Sequence, residues 1–233
     1  MDGAPPLEPG LALLRLLQLA SPSLPIGGFS YSQALESVVD DGTVHDAAST
    51  TAWIGDVLDL VVAEGEAPVT WRLLDSAACR DWRRFEHWND WFRASRETAE
   101  LRAETEQMGG SLARLASDLD LLDAVALQAA RRCAPLSLPA SFALAACGFR
   151  ISAVPALTAY LWVWLENQTM AAIKSVPLGQ LAAQRMLKEL ATRIPPAVVR
   201  ARTIADAEVM SFAPGLALAS ARHETQYSRL FRS

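Results

Sequence analysis

The chain has 233 residues, 51% hydrophobic and 20% charged, with a formal net charge of −5. Such a length holds one large domain or two small ones. The apolar share excludes global disorder, and the acidic balance argues against a general nucleic-acid binder.

Residues 1–10, Pro-rich and without a basic region ahead of an apolar run, read as a mobile lead rather than a signal peptide. A first helix is expected over Leu11–Ala20. Two prolines and a Gly pair make Ser21–Phe29 a loop. Ser30-x-x-Gln33 then has the spacing of a capping box opening a helix through Val39, and Thr43-x-x-Asp46 repeats it before a helix to about Glu64. Residues 68–93 carry Trp71, Trp82, Trp88 and Trp91 among Arg72, Arg80, Arg83, Arg84 and Arg93. That mix can bind RNA, but Asp75, Asp81, Glu86 and Asp90 dilute it, and core packing is the better expectation.

The next helix spaces Leu101, Met108, Leu112, Leu115 and Leu119 as an apolar stripe, with Arg96–Glu100 and Arg102–Glu106 as i,i+4 pairs on its outer face. Gly109-Gly110 within it marks either a break or the close approach of another backbone. From Cys133 to Leu165 the one charge is Arg150, yet prolines subdivide the stretch and its uncharged end is too short for a membrane span. Val176–Gln180 reads as a helix–helix corner, with Lys174 and Gln180 flanking it as polar groups available to a partner. Strand-like alternation is scarce and Ala, Leu, Arg, Glu and Gln dominate. The expected fold is therefore all-α, one compact domain of about eight to ten helices over residues 11–221, followed by a tail at 222–233.

That tail, Arg222-His-Glu-Thr-Gln-Tyr-Ser-Arg-Leu-Phe-Arg-Ser233, mixes aromatics with cations. A solvated terminus has no folding reason to keep Tyr227, Leu230 and Phe231. Two readings stay open: a last segment docking on its own domain, or a docking peptide for another protein, whose contacts are enriched in this composition.

Catalytic and metal signals are weak. Gly28-x-Ser30-x-Ser32 mimics the start of a nucleophile elbow, which would make Ser30 a hydrolase serine, but the preceding strand and final glycine are missing. His45, His87 and His223 are scattered, and Cys79, Cys133 and Cys147 form no CxxC pair, so no metal site is expected and a reducing, cytoplasmic setting fits. Neither a Walker loop nor GxGxxG occurs.

Four blocks occurring in order carry a family resemblance: Leu24-Pro-Ile-Gly-Gly-Phe-Ser-Tyr-Ser-Gln-Ala-Leu-Glu36, Arg96-Glu-Thr-Ala-Glu-Leu-Arg102, Lys174-Ser-Val-Pro-Leu-Gly-Gln180, and Ser220 through Ser233. Together they resemble the urease accessory protein UreF family over nearly the whole chain. One departure is Ala34, where that family usually has glycine. The resemblance implies an all-α, homodimeric, non-enzymatic scaffold. It would bind a UreD/UreH-type protein through Arg222, His223, Glu224, Tyr227, Ser228, Arg229, Leu230, Phe231 and Arg232. It would also recruit the GTPase UreG, here assigned to Glu36, Lys174 and Gln180, modulate GTP hydrolysis, and so serve nickel delivery to apo-urease. Nickel would be handled by the complex and GTP bound by the partner, with no tightly bound cofactor, nucleic acid or membrane contact in this chain.

Overall fold

The structure, a computed structural model, describes residues 8–233. Of the expected lead, residues 1–7 lie outside the described residues. Pro9 and Gly10 already belong to the first helix, α1 (Pro9–Leu19), whose first amides are capped by the Glu8 carboxylate. The described residues are all-α. After α1 come α2 (Leu35–Asp40), α3 (Ala47–Val57), a π-helical stretch (Leu58–Glu66), α4 (Ala67–Cys79), α5 (Trp82–Ala94), α6 (Ala99–Asp118), α7 (Ala124–Arg132) and α8 (Leu138–Gly148). Next are α9 (Ala153–Ser175), α10 (Gln180–Leu190), α11 (Ile194–Thr203) and α12 (Pro214–His223). Because α3, the π stretch and α4 are continuous, and a 3-10 turn joins α10 to α11, these segments form ten rods.

Core packing centres on α8, which is apolar on every side and lies between α4 and α6. Gly109 explains the approach of α6. A Cβ there would collide with the Leu136 carbonyl oxygen and the Ser137 backbone, whereas Gly110 faces open space. The glycine pair is thus a close approach, and α6 runs through it unbroken. Leu101, Met108 and Leu112 of the predicted stripe are buried, while Leu119 is exposed. No helix of the described residues is long and apolar enough to cross a membrane. All three cysteines are free.

Both predicted capping boxes are displaced. Ser30 closes a short 3-10 turn, Gly28–Ser30, and the chain then passes through left-handed conformations at Gln33 (φ 51°) and Ala34 (φ 66°) before α2 begins. Ser32 supplies the hydroxyl, accepting from the Glu36 amide at 3.3 Å. For α3 the cap is Asp46, whose carboxylate accepts from the Ser49 amide at 2.8 Å while Ser49 Oγ accepts from the Asp46 amide at 3.0 Å. The predicted helix end near Glu64 is overrun by the π stretch, whose widened turn leaves the Glu64 carbonyl to accept from the Met210 amide.

The predicted i,i+4 ion pairs do not form. Thr98 caps α6, so Arg96 precedes the helix and faces Glu66 at 3.7 Å, and Glu106 takes Arg93 at 2.7 Å. Glu100 is left for the C-terminal segment. Among the tryptophans, Trp88 is buried, and Trp71, Trp82 and Trp91 pack partly buried against the core. Arg72, Arg80, Arg84 and Arg93 pair with Asp206, Asp123, Asp75 and Glu106. The segment is a packing element, which removes the basis for the RNA reading.

Candidate functional site

Two elements form a seat for the end of the chain. Glu36 sits in the first turn of α2, where the helix dipole favours an anion. Glu100, Glu104 and Gln107 lie at helical spacing along one side of α6. Helix α12 ends at His223, so Arg222 and His223 are helical and the tail proper starts at Glu224. The Glu224 carboxylate accepts from the Ala99 amide at 2.9 Å and the Glu100 amide at 3.3 Å, joining the end of α12 to the open amides of α6.

Beyond that point residues 229–233 are bonded to the seat. Glu36 accepts from the Leu230 amide (2.6 Å, Oε1) and the Phe231 amide (2.9 Å, Oε2). Arg229 donates to Glu100 Oε1 at 2.6 Å. The Arg232 amide donates to the Ser30 carbonyl at 2.8 Å, and the Ser233 carbonyl accepts from the Ser32 amide and hydroxyl at 2.9 and 2.5 Å. Ser233 Oγ donates to Glu104 Oε2 at 2.6 Å, and Gln33 Nε2 to Glu104 Oε1 at 2.8 Å. Beneath these bonds lies His223, 0% exposed, with Nδ1 2.6 Å from Glu100 Oε2 and Nε2 3.3 Å from Glu36 Oε2.

The apolar side chains divide. Phe231 is 5% exposed and enters the core, whereas Leu230 at 63% and Tyr227 at 104% point outward. Lys174 Nζ stands 5.5 Å over the Phe231 ring and 5.9 Å over Phe29. Glu36 and Lys174 therefore meet at Phe231, one through its amide and the other over its ring. Gln180 is exposed at the start of α10, beyond the corner, and Ser228 is exposed in the tail. Glu36 offers little to an outside partner, since both of its oxygens are occupied from within the chain.

Behind the seat is a polar chamber. Glu66 ends the π stretch and accepts from the Tyr160 hydroxyl at 2.5 Å. A cavity of about 80 Å³ is lined by Glu66, Glu104, Tyr160, Gln33, Trp164 and Met108 among others, and Phe29 and Glu166 line it as well. Burial pushes the Glu104 carboxyl up to about 7, against the lowering effect of its bonds to Ser233 and Gln33. Tyr160 is raised well above its ordinary range, first by burial and then by the Glu66 charge.

Ser30 has no elbow: among the described residues no strand precedes it, and its carbonyl serves the tail. No group of three or more His, Cys, Asp or Glu among the described residues is arranged to hold a metal ion. Sequence reasoning missed Gln33, Glu100 and Glu104. The signal for Glu104 was available, because it falls three residues after Leu101 and four before Met108, on the buried stripe itself.

The sequence model of the UreF family matches residues 44–191. A urease accessory protein UreF from Azoarcus sp. (strain BH72) is 52% identical over 225 residues, 96% of each chain. One from Janthinobacterium sp. (strain Marseille) is 50% identical over 222 residues, 95% of this chain and 98% of that one. A bifunctional urease accessory protein UreEF from Bordetella bronchiseptica is 51% identical over 238 residues, 98% of this chain but 53% of its own length.

Proposed function

The chain belongs to the UreF family of urease accessory proteins, and we propose that it is a non-enzymatic scaffold for nickel-dependent maturation of apo-urease. In this reading the C-terminal segment docks a UreD/UreH-type protein, and the surface around Lys174 and Gln180 recruits a UreG-type GTPase and tunes its GTP hydrolysis. The observation that carries it is the division of the tail. A free tail would lose conformational freedom on binding, but here Glu36 and Glu100 fix the backbone beforehand while Tyr227 and Leu230 stay outside. Burying both on a partner would contribute at roughly 25 cal/mol per Å², with Arg222 and Arg232 at the rim.

Glu36 acts in this scheme through the tail it holds, and His223, Glu224 and Arg229 do the same. Nickel is cargo of the complex, GTP belongs to the partner, and this chain keeps no tightly bound cofactor. A homodimer is supported by the outer stripe of α9, where Val154, Thr158, Trp162 and Met170 are exposed at four- and eight-residue steps. The assembly works in the cytoplasm, without nucleic acid or membrane. The bifunctional relative favours one further association, with a UreE-type protein.

Co-expression of the full chain with UreD-type and UreG-type proteins tests the reading. A ternary complex that survives gel filtration is the expected result. Elution of this chain apart from both partners would overturn it.

A further inference from the structure

Arg96 opens the second of the four sequence blocks, and the scaffold role does not use it. Its side chain lies in the loop before α6, 8% exposed, with the guanidinium 4.1 Å over the Phe92 ring. One terminal nitrogen donates to Ser95 Oγ at 3.3 Å and Ser211 Oγ at 3.2 Å. The other stands 3.7 Å from Glu66 Oε2, beyond the roughly 3.2 Å reach of a direct hydrogen bond. Nε is buried and has no hydrogen-bond partner among the described residues. Leaving a buried charged donor unmade costs more than such a bond ordinarily contributes. A group able to accept from Nε belongs beside it.

A cavity of about 20 Å³ lies there, lined by Arg96, Glu66, Glu104, Thr105 and Gln33 among others. One water needs about 10–15 Å³ and two to four polar partners. Gln33 is committed elsewhere, donating to Glu104 and accepting from Trp164 Nε1 at 2.8 Å. Glu66 Oε1 takes the Tyr160 hydroxyl, which leaves Oε2 on the side of Arg96. Each Glu104 oxygen accepts one bond, from Gln33 or Ser233, and keeps a second lone pair. Thr105 Oγ1 accepts from the Leu138 amide at 2.9 Å, so its own hydrogen remains to be donated. Two donors and two carboxylate acceptors therefore line one small space.

Their chemistry selects the occupant. A cation would meet two donor hydrogens, and an anion would meet two carboxylates. A neutral molecule that both donates and accepts satisfies all four. We propose that this cavity is a binding site for one structural water, which accepts from Arg96 Nε and the Thr105 hydroxyl and donates to Glu66 and Glu104. It completes the Arg96–Glu66 pair through a bridge rather than by contact. It also joins the end of the π stretch to the loop before α6 and, through Glu104, to Ser233 at the end of the tail.

A crystal structure of the full chain, at a resolution that shows ordered water, tests this. The expected result is one peak that refines as a fully occupied water, within hydrogen-bond distance of Arg96 Nε, Glu66 and Glu104. Crystals grown in bromide and in rubidium should give no anomalous signal there. Thr105→Ser, which keeps the hydroxyl, should retain the peak, and Thr105→Val, which removes one of the four partners, should lose it. Four results would overturn the site: no peak with these side chains in place, Arg96 turned to bond Glu66 directly, an anomalous signal, or a peak unchanged in Thr105→Val. The parent crystal decides the matter even if Thr105→Val, which also strips the Leu138 amide of its acceptor, fails to fold.

Discussion

Glu36 and His223, 187 residues apart in the chain, meet with Oε2 3.3 Å from Nε2, and the same carboxylate carries the amides of Leu230 and Phe231. One side chain thus ties the first turn of α2 to the end of α12 and to the tail that follows. Bonds to a charged acceptor each contribute about 1.5–3 kcal/mol, and 1.4 kcal/mol is a tenfold change in population. The tail is therefore an ordered surface whose geometry depends on a few carboxylates.

Glu36→Gln removes that charge and one of its acceptor oxygens. Trypsin cleavage after Arg229, within a segment that Glu36 and Glu100 bond, should accelerate at least tenfold over the parent. The far-UV circular dichroism should hardly change, since the bonds from the Leu230 and Phe231 amides to Glu36 lie outside the hydrogen bonds of the helices. An unchanged cleavage rate would show that Glu36 does not hold the tail.

The adjacent glycines of α6 should respond in opposite directions. Gly110→Ala meets nothing within 4 Å and removes a helix-interior glycine, which stabilises by about 1 kcal/mol and raises Tm by about 2–4 °C. Gly109→Ala drives a methyl into the backbone between Leu136 and Ser137, and overpacking of that kind costs about 1–3 kcal/mol or more. Calorimetry of the two variants checks the pair, and a Gly109→Ala protein as stable as the parent would contradict the close approach of α6 and α8.

Lys174 is exposed, and its recorded contacts are the Phe29 carbonyl at 3.5 Å and the faces of Phe29 and Phe231. Lys174→Ala should lower Tm by no more than a few degrees while weakening recruitment of the UreG-type GTPase or changing its GTP turnover in the complex. A large thermal loss with recruitment intact would make Lys174 a structural residue.

The helical class, the corner at Val176–Gln180 and the buried part of the α6 stripe were legible because each rests on local pattern: strong helix formers, a proline beside a glycine, and apolar residues at steps of three and four. What escaped has a long-range cause. Ser30 matched a capping box, but the hydroxyl that reaches the first turn of α2 is that of Ser32, because the 30–34 loop is shaped by bonds to Arg232 and Ser233 some two hundred residues away. Glu100 matched an i,i+4 partner for Arg96, but Thr98 starts the helix later and turns Glu100 toward His223 and Arg229. Ala34 looked like a helix-interior alanine in place of glycine. It is fully buried at φ 66°, ahead of the helix, where left-handed backbone favours glycine and helix propensity has no bearing. The odd composition of the tail drew notice from sequence alone; Phe231 follows the reading in which the segment docks on its own domain, and Tyr227 and Leu230 remain outside.

The central claim is that those two exposed side chains dock the partner while the clasp beneath them fixes the backbone. Isothermal titration of the UreD/UreH-type protein into the parent and into a Tyr227→Ala, Leu230→Ser double variant measures it most directly. Loss of an interface anchor costs about 2 kcal/mol or more, a factor of about 30 in affinity. The account predicts at least that loss with Tm unchanged, since neither side chain is buried in the free chain. Equal affinity for the parent and the double variant would contradict it.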